Sequence, residues 1–152
     1  MNVADDVFCQ MLRGRGVDHT IFEDELTVAF LDHRPVFPGH CLLIPKEHFE
    51  TLVDLPQRLL EPLFGNAQRL ARAVREGLQS DGTLVLMNNR VSQSVPHLHI
   101  HVIPRRNGDG LKGFLWPRQS YPDEAAALRV RDAVRAAWTA QGYHSGNGRN
   151  CS

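Results

Sequence analysis

Two periods run through this chain. Apolar side chains recur every third or fourth residue over three stretches and every second residue over several short ones, the marks of amphipathic helices and half-buried strands. Val7, Phe8, Met11 and Leu12 form one side of a short helix from about Val3 to Leu12, ended by Gly14 and Gly16. Thr20–Glu23 and Leu26–Leu31 read as two strands turning at Glu23-Asp24-Glu25. Pro35 to Gly39 break the pattern, and Cys41–Ile44 is a third strand stopped by Pro45. Leu59, Leu60, Leu63, Phe64, Ala67, Leu70, Ala71, Val74 and Leu78 predict one long helix. Asp54 is its expected cap, with Pro56 in the first turn and Gly77 and Gly82 at the end; Pro62 and Gly65 predict a kink or a later start. Thr83–Met87 and His97–Ile103 are a fourth and a fifth strand. Pro122-Asp123-Glu124 opens a last helix to about Ala140, with Ala126, Leu128, Val130, Val134 and Trp138 among its apolar positions.

Short hairpin links between the early strands predict an α+β architecture, a mainly antiparallel five-stranded sheet with one long helix and terminal helices. No repeat and no Pro/Gly-rich linker divides the chain, so residues 1–143 read as a single domain. Residues 144–152 are polar and contain glycine, and read as a flexible tail.

Composition narrows the partners. Lys+Arg and Asp+Glu both number 17, so no net field draws the chain to nucleic acid or to an anionic membrane. The longest apolar runs, such as Cys41-Leu42-Leu43-Ile44, are too short to span a bilayer, and the acidic start Met1–Asp6 lacks the basic and apolar regions of a signal peptide. A cytoplasmic protein is expected. Cys9, Cys41 and Cys151 are odd in number and unclustered, which argues against a disulfide scaffold.

The chemistry lies in the fifth strand. His97, His99 and His101 alternate with Leu98, Ile100 and Val102. On a strand the imidazoles share one face and the aliphatics the other. A line of imidazoles has no packing rationale, and such groups act as base, nucleophile or metal ligand near neutral pH.

Around this strand the chain resembles the histidine triad family of nucleotide hydrolases and transferases. The resemblance is carried by His-x-His-x-His with apolar spacers and by blocks in the family's order: Ile21-Phe22-Glu23-Asp24-Glu25, Ala29-Phe30-Leu31-Asp32, Pro38-Gly39-His40, Leu43-Ile44-Pro45-Lys46-Glu47-His48 and Gln93-Ser94-Val95-Pro96-His97. It implies that His99 attacks the α-phosphorus of a nucleotide, forming a nucleotidyl-imidazole that water hydrolyses. It places His101 and His40 at the phosphate, as cations that stabilise its oxygens, and His97 as the orienting first position. Asp32 matches the ribose ligand, Gln93 and Ser94 match contacts to phosphate or leaving-group oxygen, and Asn88 matches an asparagine near phosphate and ribose. The loop Asn88–Gln93 is about two residues shorter than in many relatives. Phe8, Ile21, Phe30 and Leu31 are expected around a purine base. His19, His33 and His144 match nothing and read as surface residues.

The resemblance also raises a metal question. Many bacterial relatives hold structural zinc with Cys-x-x-Cys, the histidine of Pro-Lys-x-His and the first triad histidine. Here Asp6 stands in place of the first cysteine, while Cys9, His48 and His97 remain. No cofactor is required and no residue is assigned as metal ligand on this reading; a structural zinc stays open, and with the set incomplete His97 is read into the active-site hydrogen-bond network. Arg105, Lys112 and Arg118 could meet a polyphosphate and Trp116 a base, or Phe114, Leu115 and Trp116 could pack at a subunit interface. The expected substrate is a nucleoside phosphoramidate or dinucleoside polyphosphate, and the expected assembly a twofold homodimer. Two alternatives stand beside this: a zinc-dependent hydrolase with His97 and His99 as ligands, and a nucleotide-binding protein without turnover.

Overall fold

The computed structural model describes residues 6–14, 19–111 and 120–140. They fall into two units, one ending at Asp109 and the other beginning at Gly110. The first holds helix α1 (Val7–Gly14), strands β1 (Thr20–Glu23), β2 (Thr27–Leu31) and β3 (Cys41–Pro45), helix α2 (Gln57–Gly77), and strands β4 (Gly82–Leu86) and β5 (Ile100–Arg105). The strands form one sheet in the order β1-β2-β3-β5-β4, every pairing antiparallel. The predicted five-stranded antiparallel α+β fold is what forms.

Asp24 makes the first hairpin close. Its Oδ1 accepts from the backbone N–H groups of Leu26 (2.9 Å) and Thr27 (2.7 Å), the usual work of an aspartate in a tight turn. Strand alternation then separates two cores. Ala29, Cys41, Leu43, Ile100 and Val102 face α2, meeting Leu59, Leu63, Ala67, Leu70 and Val74 at helical spacing. Val28, Phe30, Leu42 and Ile44 face the other way and pack with Phe8 of α1.

Three expectations shift. Asp54 does not cap the long helix: its Oδ2 accepts from the backbone N–H (3.1 Å) and hydroxyl (2.6 Å) of Thr51, closing a single 3-10 turn over Leu52–Asp54. Pro56 disfavours helical backbone in the residue before it; Leu55 is accordingly extended (φ −69°, ψ 123°), and α2 starts only at Gln57. It then runs unbroken past Pro62. The fifth strand begins at Ile100 rather than His97, because Leu98 N–H is taken by the carbonyl of Phe49 (2.6 Å) instead of a neighbouring strand. It continues through Pro104, which β3 does not reach, since β3 pairs with β5 only from Cys41 to Leu43.

In the second unit, helix α3 (Glu124–Ala140) is capped by Asp123, whose Oδ1 accepts from Ala126 N–H at 2.6 Å. Leu128, Val130 and Val134 are exposed on it; the side chain of Trp138 lies outside the described residues, as do residues 1–5, 112–119 and 141–152. The expectations for Lys112, Phe114, Leu115, Trp116, Arg118 and the 144–152 tail fall there. Among the described residues no helix is long and apolar enough to cross a membrane.

Candidate active site

Leu98, fully buried in the α2-facing core, anchors the approach to β5 and turns His97 and His99 toward the side of Phe8. The His99 ring is buried, and its Nδ1 lies 2.7 Å from the carbonyl oxygen of His97. A carbonyl only accepts, so Nδ1 carries the proton and Nε2 keeps its lone pair. Phe8 packs edge-on against His99 at 5.6 Å between ring centres, and the His101 ring lies at 4.7 Å.

On one side of His99 stands a dyad. Gly39 sets its position: with φ of 93°, and with a Cβ there colliding with Cδ1 of Leu78, only glycine fits ahead of His40. Val36 N–H donates to His40 Nδ1 (3.2 Å), so the neutral ring carries its proton on Nε2, which donates to His101 Nδ1 at 2.9 Å. The proton of His101 is therefore on Nε2. Burial pushes the pKa of His40 down, against the pull of Asp32; burial, with His99 and His40 beside it, holds His101 at about 4. At neutral pH both are uncharged donors in the free protein, which revises the expected cationic role: a cation forms here only with proton uptake. Asp32 sits beside them, its Oδ2 3.4 Å from His40 Nδ1 and its Oδ1 accepting from Arg34 N–H (2.8 Å).

Gln93 and Asn88 do not face the histidines with free amides. Gln93 Oε1 accepts from Arg90 N–H (2.6 Å), and its Nε2 donates to Glu50 O (2.7 Å) and, at 3.4 Å, to His97 O. Asn88 Nδ2 donates to Ser92 O at 3.2 Å. Together they brace a loop in which Arg90 (φ 69°) and Ser92 (φ 60°) adopt left-handed backbone that L-residues enter at a cost of about 1–2 kcal/mol. Ser94 is exposed next to it.

On the other side of His99 the His97 side chain turns into a second cluster. Its Nε2 donates to Pro45 O (2.8 Å), leaving the Nδ1 lone pair 3.6 Å from Cys9 Sγ and 3.5 Å from Asp6 Oδ2. His48 Nδ1 completes the group, 3.4 Å from Cys9 Sγ and 3.0 Å from Asp6 Oδ2. His97 thus serves the active-site network through its backbone carbonyl, and its ring belongs to this cluster. Burial pushes the Asp6 carboxyl up, but hydrogen bonds from Cys9 and Phe8 and the nearby His97 outweigh it and hold the pKa below the usual carboxylate value. Burial lowers His97. Asp6 Oδ2 is buried and has no hydrogen-bond partner among the described residues. Four donors around a tetrahedral zinc stand about 3.3–3.7 Å apart, given metal–ligand distances of about 2.0–2.3 Å. The donor set here fits such an ion, and its atoms lie within 4.8 Å of one another with contacts of 3.0–3.6 Å among them.

The expected base-contacting set divides. Phe8 and Phe30 meet at 5.6 Å on the histidine side. Leu31, one residue along the strand, faces the opposite way and lines with Ile21, Cys41, Leu70 and Val74 an apolar cavity of about 370 Å³ beside α2. Period-two alternation forbids Phe30 and Leu31 from sharing a face. Sequence reasoning had no signal for the groups that fix the tautomers, Val36 N–H and the carbonyls of His97 and Pro45, because backbone atoms carry no residue code. Arg105 is turned to its own loop, paired with the carboxylate of Asp109. His97 and His99 share no ligand cluster among the described residues, so the paired-ligand metalloenzyme geometry is not formed.

Comparison with known proteins converges on one family. Residues 14–108 match the family model described as HIT domain. An uncharacterized HIT-like protein of Mycobacterium tuberculosis is 39% identical over 134 residues, covering 84% of this chain and 92% of its own length. The adenosine 5′-monophosphoramidase HNT1 of Saccharomyces cerevisiae is 36% identical over 117 residues, 74% of this chain and 70% of its own. Among solved structures, a Zn-bound histidine triad family protein from Mycobacterium smegmatis superposes with a TM-score of 0.66 at 38% identity, covering 90% of this chain and 97% of that one.

Proposed function

The chain belongs to the HIT (histidine triad) domain family, and on that premise we propose that it is a nucleotide hydrolase or transferase working through a covalent nucleotidyl-His99 intermediate. The observation that carries this reading is the 2.7 Å bond from His99 Nδ1 to His97 O, which supports an Nε2 lone pair held ready for attack. His99 Nε2 forms a bond to the α-phosphorus, and the bond to the leaving group breaks with its electron pair departing on that group, which solvent protonates. The charge left on the imidazole is borne by Nδ1–H against the carbonyl. Water then attacks phosphorus, the P–N bond breaks and His99 is regenerated. His101 Nε2–H donates to the phosphoryl oxygens, and His40, whose own N–H is given to His101 Nδ1, holds that ring in place. Asp32 takes the ribose hydroxyls, Ser94 meets phosphate or leaving-group oxygen, and Gln93 and Asn88 act by holding the loop that carries Ser94. Phe8 and Phe30 offer a face to a purine base.

The substrate class is a purine nucleoside phosphoramidate or dinucleoside polyphosphate; the yeast relative's name favours the former. A cytoplasmic twofold homodimer belongs to the same reading, and β4 supports it: it is an edge strand that, among the described residues, pairs with β5 alone. Zinc, if bound, would be held by Asp6, Cys9, His48 and His97 and would supply structural cross-linking. A panel of adenosine phosphoramidate, dinucleoside tetraphosphate and adenylyl sulfate in ¹⁸O water tests the proposal. The label is expected in the nucleoside monophosphate product; label in the leaving group, or tight binding of the panel with no turnover, would sink it.

A further inference from the structure

The His40–His101 pair holds two protons when neutral, and the hydrogen bonds fix where they lie. One sits on His40 Nε2 and is donated to His101 Nδ1 at 2.9 Å; the other is on His101 Nε2. His40 Nδ1 alone keeps a lone pair without a proton of the pair's own, and it accepts the Val36 N–H at 3.2 Å. A third proton therefore has one way in, at His40 Nδ1. Asp32 Oδ2 stands 3.4 Å from that atom. The other carboxylate oxygen already accepts from Arg34 N–H at 2.8 Å, which holds Asp32 in place while Oδ2 faces the ring.

The surroundings leave Asp32 as the balancing charge. Among the described residues it is the carboxylate that acts on both rings. His99 lies beside the pair, its ring 4.7 Å from that of His101, and disfavours a cation there. The strand partners of His101 are Leu42 on β3 and Leu86 on β4, neither of them charged. His33 Nδ1 is 3.7 Å from Asp32 Oδ1, on a side chain 86% exposed, and Arg34 meets Asp32 through its backbone. Burial keeps both rings of the pair neutral in the free protein. An anion accepting from His101 Nε2–H reverses that balance, because its charge acts on the pair through a medium of low dielectric.

We infer that Asp32 is the charge partner of the His40–His101 pair: when a phosphate binds at His101, one proton enters at His40 Nδ1, which turns from the Val36 N–H to Asp32 Oδ2. Phosphate and proton both come from solvent, no covalent bond to phosphorus forms or breaks, and the bound pair carries one positive charge. The Val36 N–H that is let go belongs to a residue 50% exposed, where water can accept it. The place of the phosphate rests on the reading given above; attack by His99 is not required. In this task Asp32 is a positioning residue, acting on the phosphate through two rings, apart from any contact with ribose.

The test follows the ¹⁵N ring signals of the histidines in the full chain from about pH 4 to 9. The protein is taken alone, with adenosine 5′-monophosphate, and with inorganic phosphate, which has no ribose. Alone, His40 Nδ1 should be unprotonated at pH 7. With either ligand it should be protonated, the pair titrating at least about two pH units higher than in the free protein. Asp32→Asn is isosteric, still accepts the Arg34 N–H, and offers His40 Nδ1 a donor in place of an acceptor. It should cut the rise to less than about one pH unit with both ligands. A His40 Nδ1 that stays unprotonated in the complex, a proton that appears on His99 instead, or no binding of either ligand would overturn the inference. So would an Asp32→Asn effect seen with the nucleotide and absent with inorganic phosphate, which would leave Asp32 a ribose ligand alone. A protein that protonates the pair yet turns over no nucleotide leaves the inference standing and sinks only the covalent reading; a nucleotidyl-His99 formed while His40 stays neutral does the reverse.

Discussion

Two clusters flank His99, and each contains two imidazoles and a carboxylate: Asp32, His40 and His101 on one side, Asp6, His48 and His97 with Cys9 on the other. By residue type both could hold a metal. Their proton bookkeeping separates them. In the first, Val36 N–H fills His40 Nδ1, and His40 Nε2 meets His101 Nδ1 as donor to acceptor, so the nitrogens satisfy one another and one N–H is left over for a ligand. In the second, the His97 and His48 Nδ1 atoms, the Cys9 thiol and a buried carboxylate oxygen without a hydrogen-bond partner among the described residues converge on one another. The first geometry suits a hydrogen-bond donor to an anion; the second suits a cation. Residue inventory does not distinguish them; the direction of each lone pair does.

The largest effect tests what the clusters share. His99→Ala is expected to lower kcat by about 10⁴-fold while both clusters stay intact by ¹⁵N histidine signals. A loss under tenfold would break the account. The next separates the sides: His101→Asn should lower kcat by about 10²-fold with Zn²⁺ stoichiometry unchanged, and metal analysis of the same preparation checks it. If metal binding falls with it, the two clusters are not independent.

A smaller effect is on stability. His40 and His101 are both held below the ordinary 6.5, mainly by burial, with His101 at about 4. Between those values the unfolded chain carries more protons than the folded one, so stability is full above pH 6.5 and falls as pH drops toward 4. The Tm should be lower by roughly 3–6 °C at pH 4.5 than at pH 7, a change that His101→Asn should reduce. Calorimetry showing a flat or rising Tm on acidification would refute the neutral dyad. Smallest of all, Gln93→Ala removes the brace to Glu50 O and Arg90 N–H and should cost activity about 3–10-fold through the loop. An unchanged KM and kcat would show that the loop holds without it.

Much of the fold is written in the period of its apolar residues. The α2 face and the two sheet faces follow from spacing, and the strand pairings follow from short turns such as Asp24. The helix start departs from the Asp54 expectation because two local rules compete there, a good cap residue and a proline that keeps Leu55 extended. The site is legible as residue types and blocks, His99 above all. Its tautomers are not, because they depend on carbonyls and an N–H from His97, Pro45 and Val36, which any residue supplies. Asp6 was visible only as the absence of a cysteine; that its two oxygens split between a helix cap and a cluster emerges from the fold.

The most direct test of the central claim is peptide mapping by mass spectrometry, kept at alkaline pH throughout, of the enzyme base-quenched during turnover of adenosine phosphoramidate, since acid would cleave the P–N bond of a nucleotidyl-imidazole. The account predicts one nucleotidyl group on the peptide carrying His99, formed at least as fast as turnover and absent from His99→Ala. Full turnover with no adduct, or with the adduct on another residue, would contradict it.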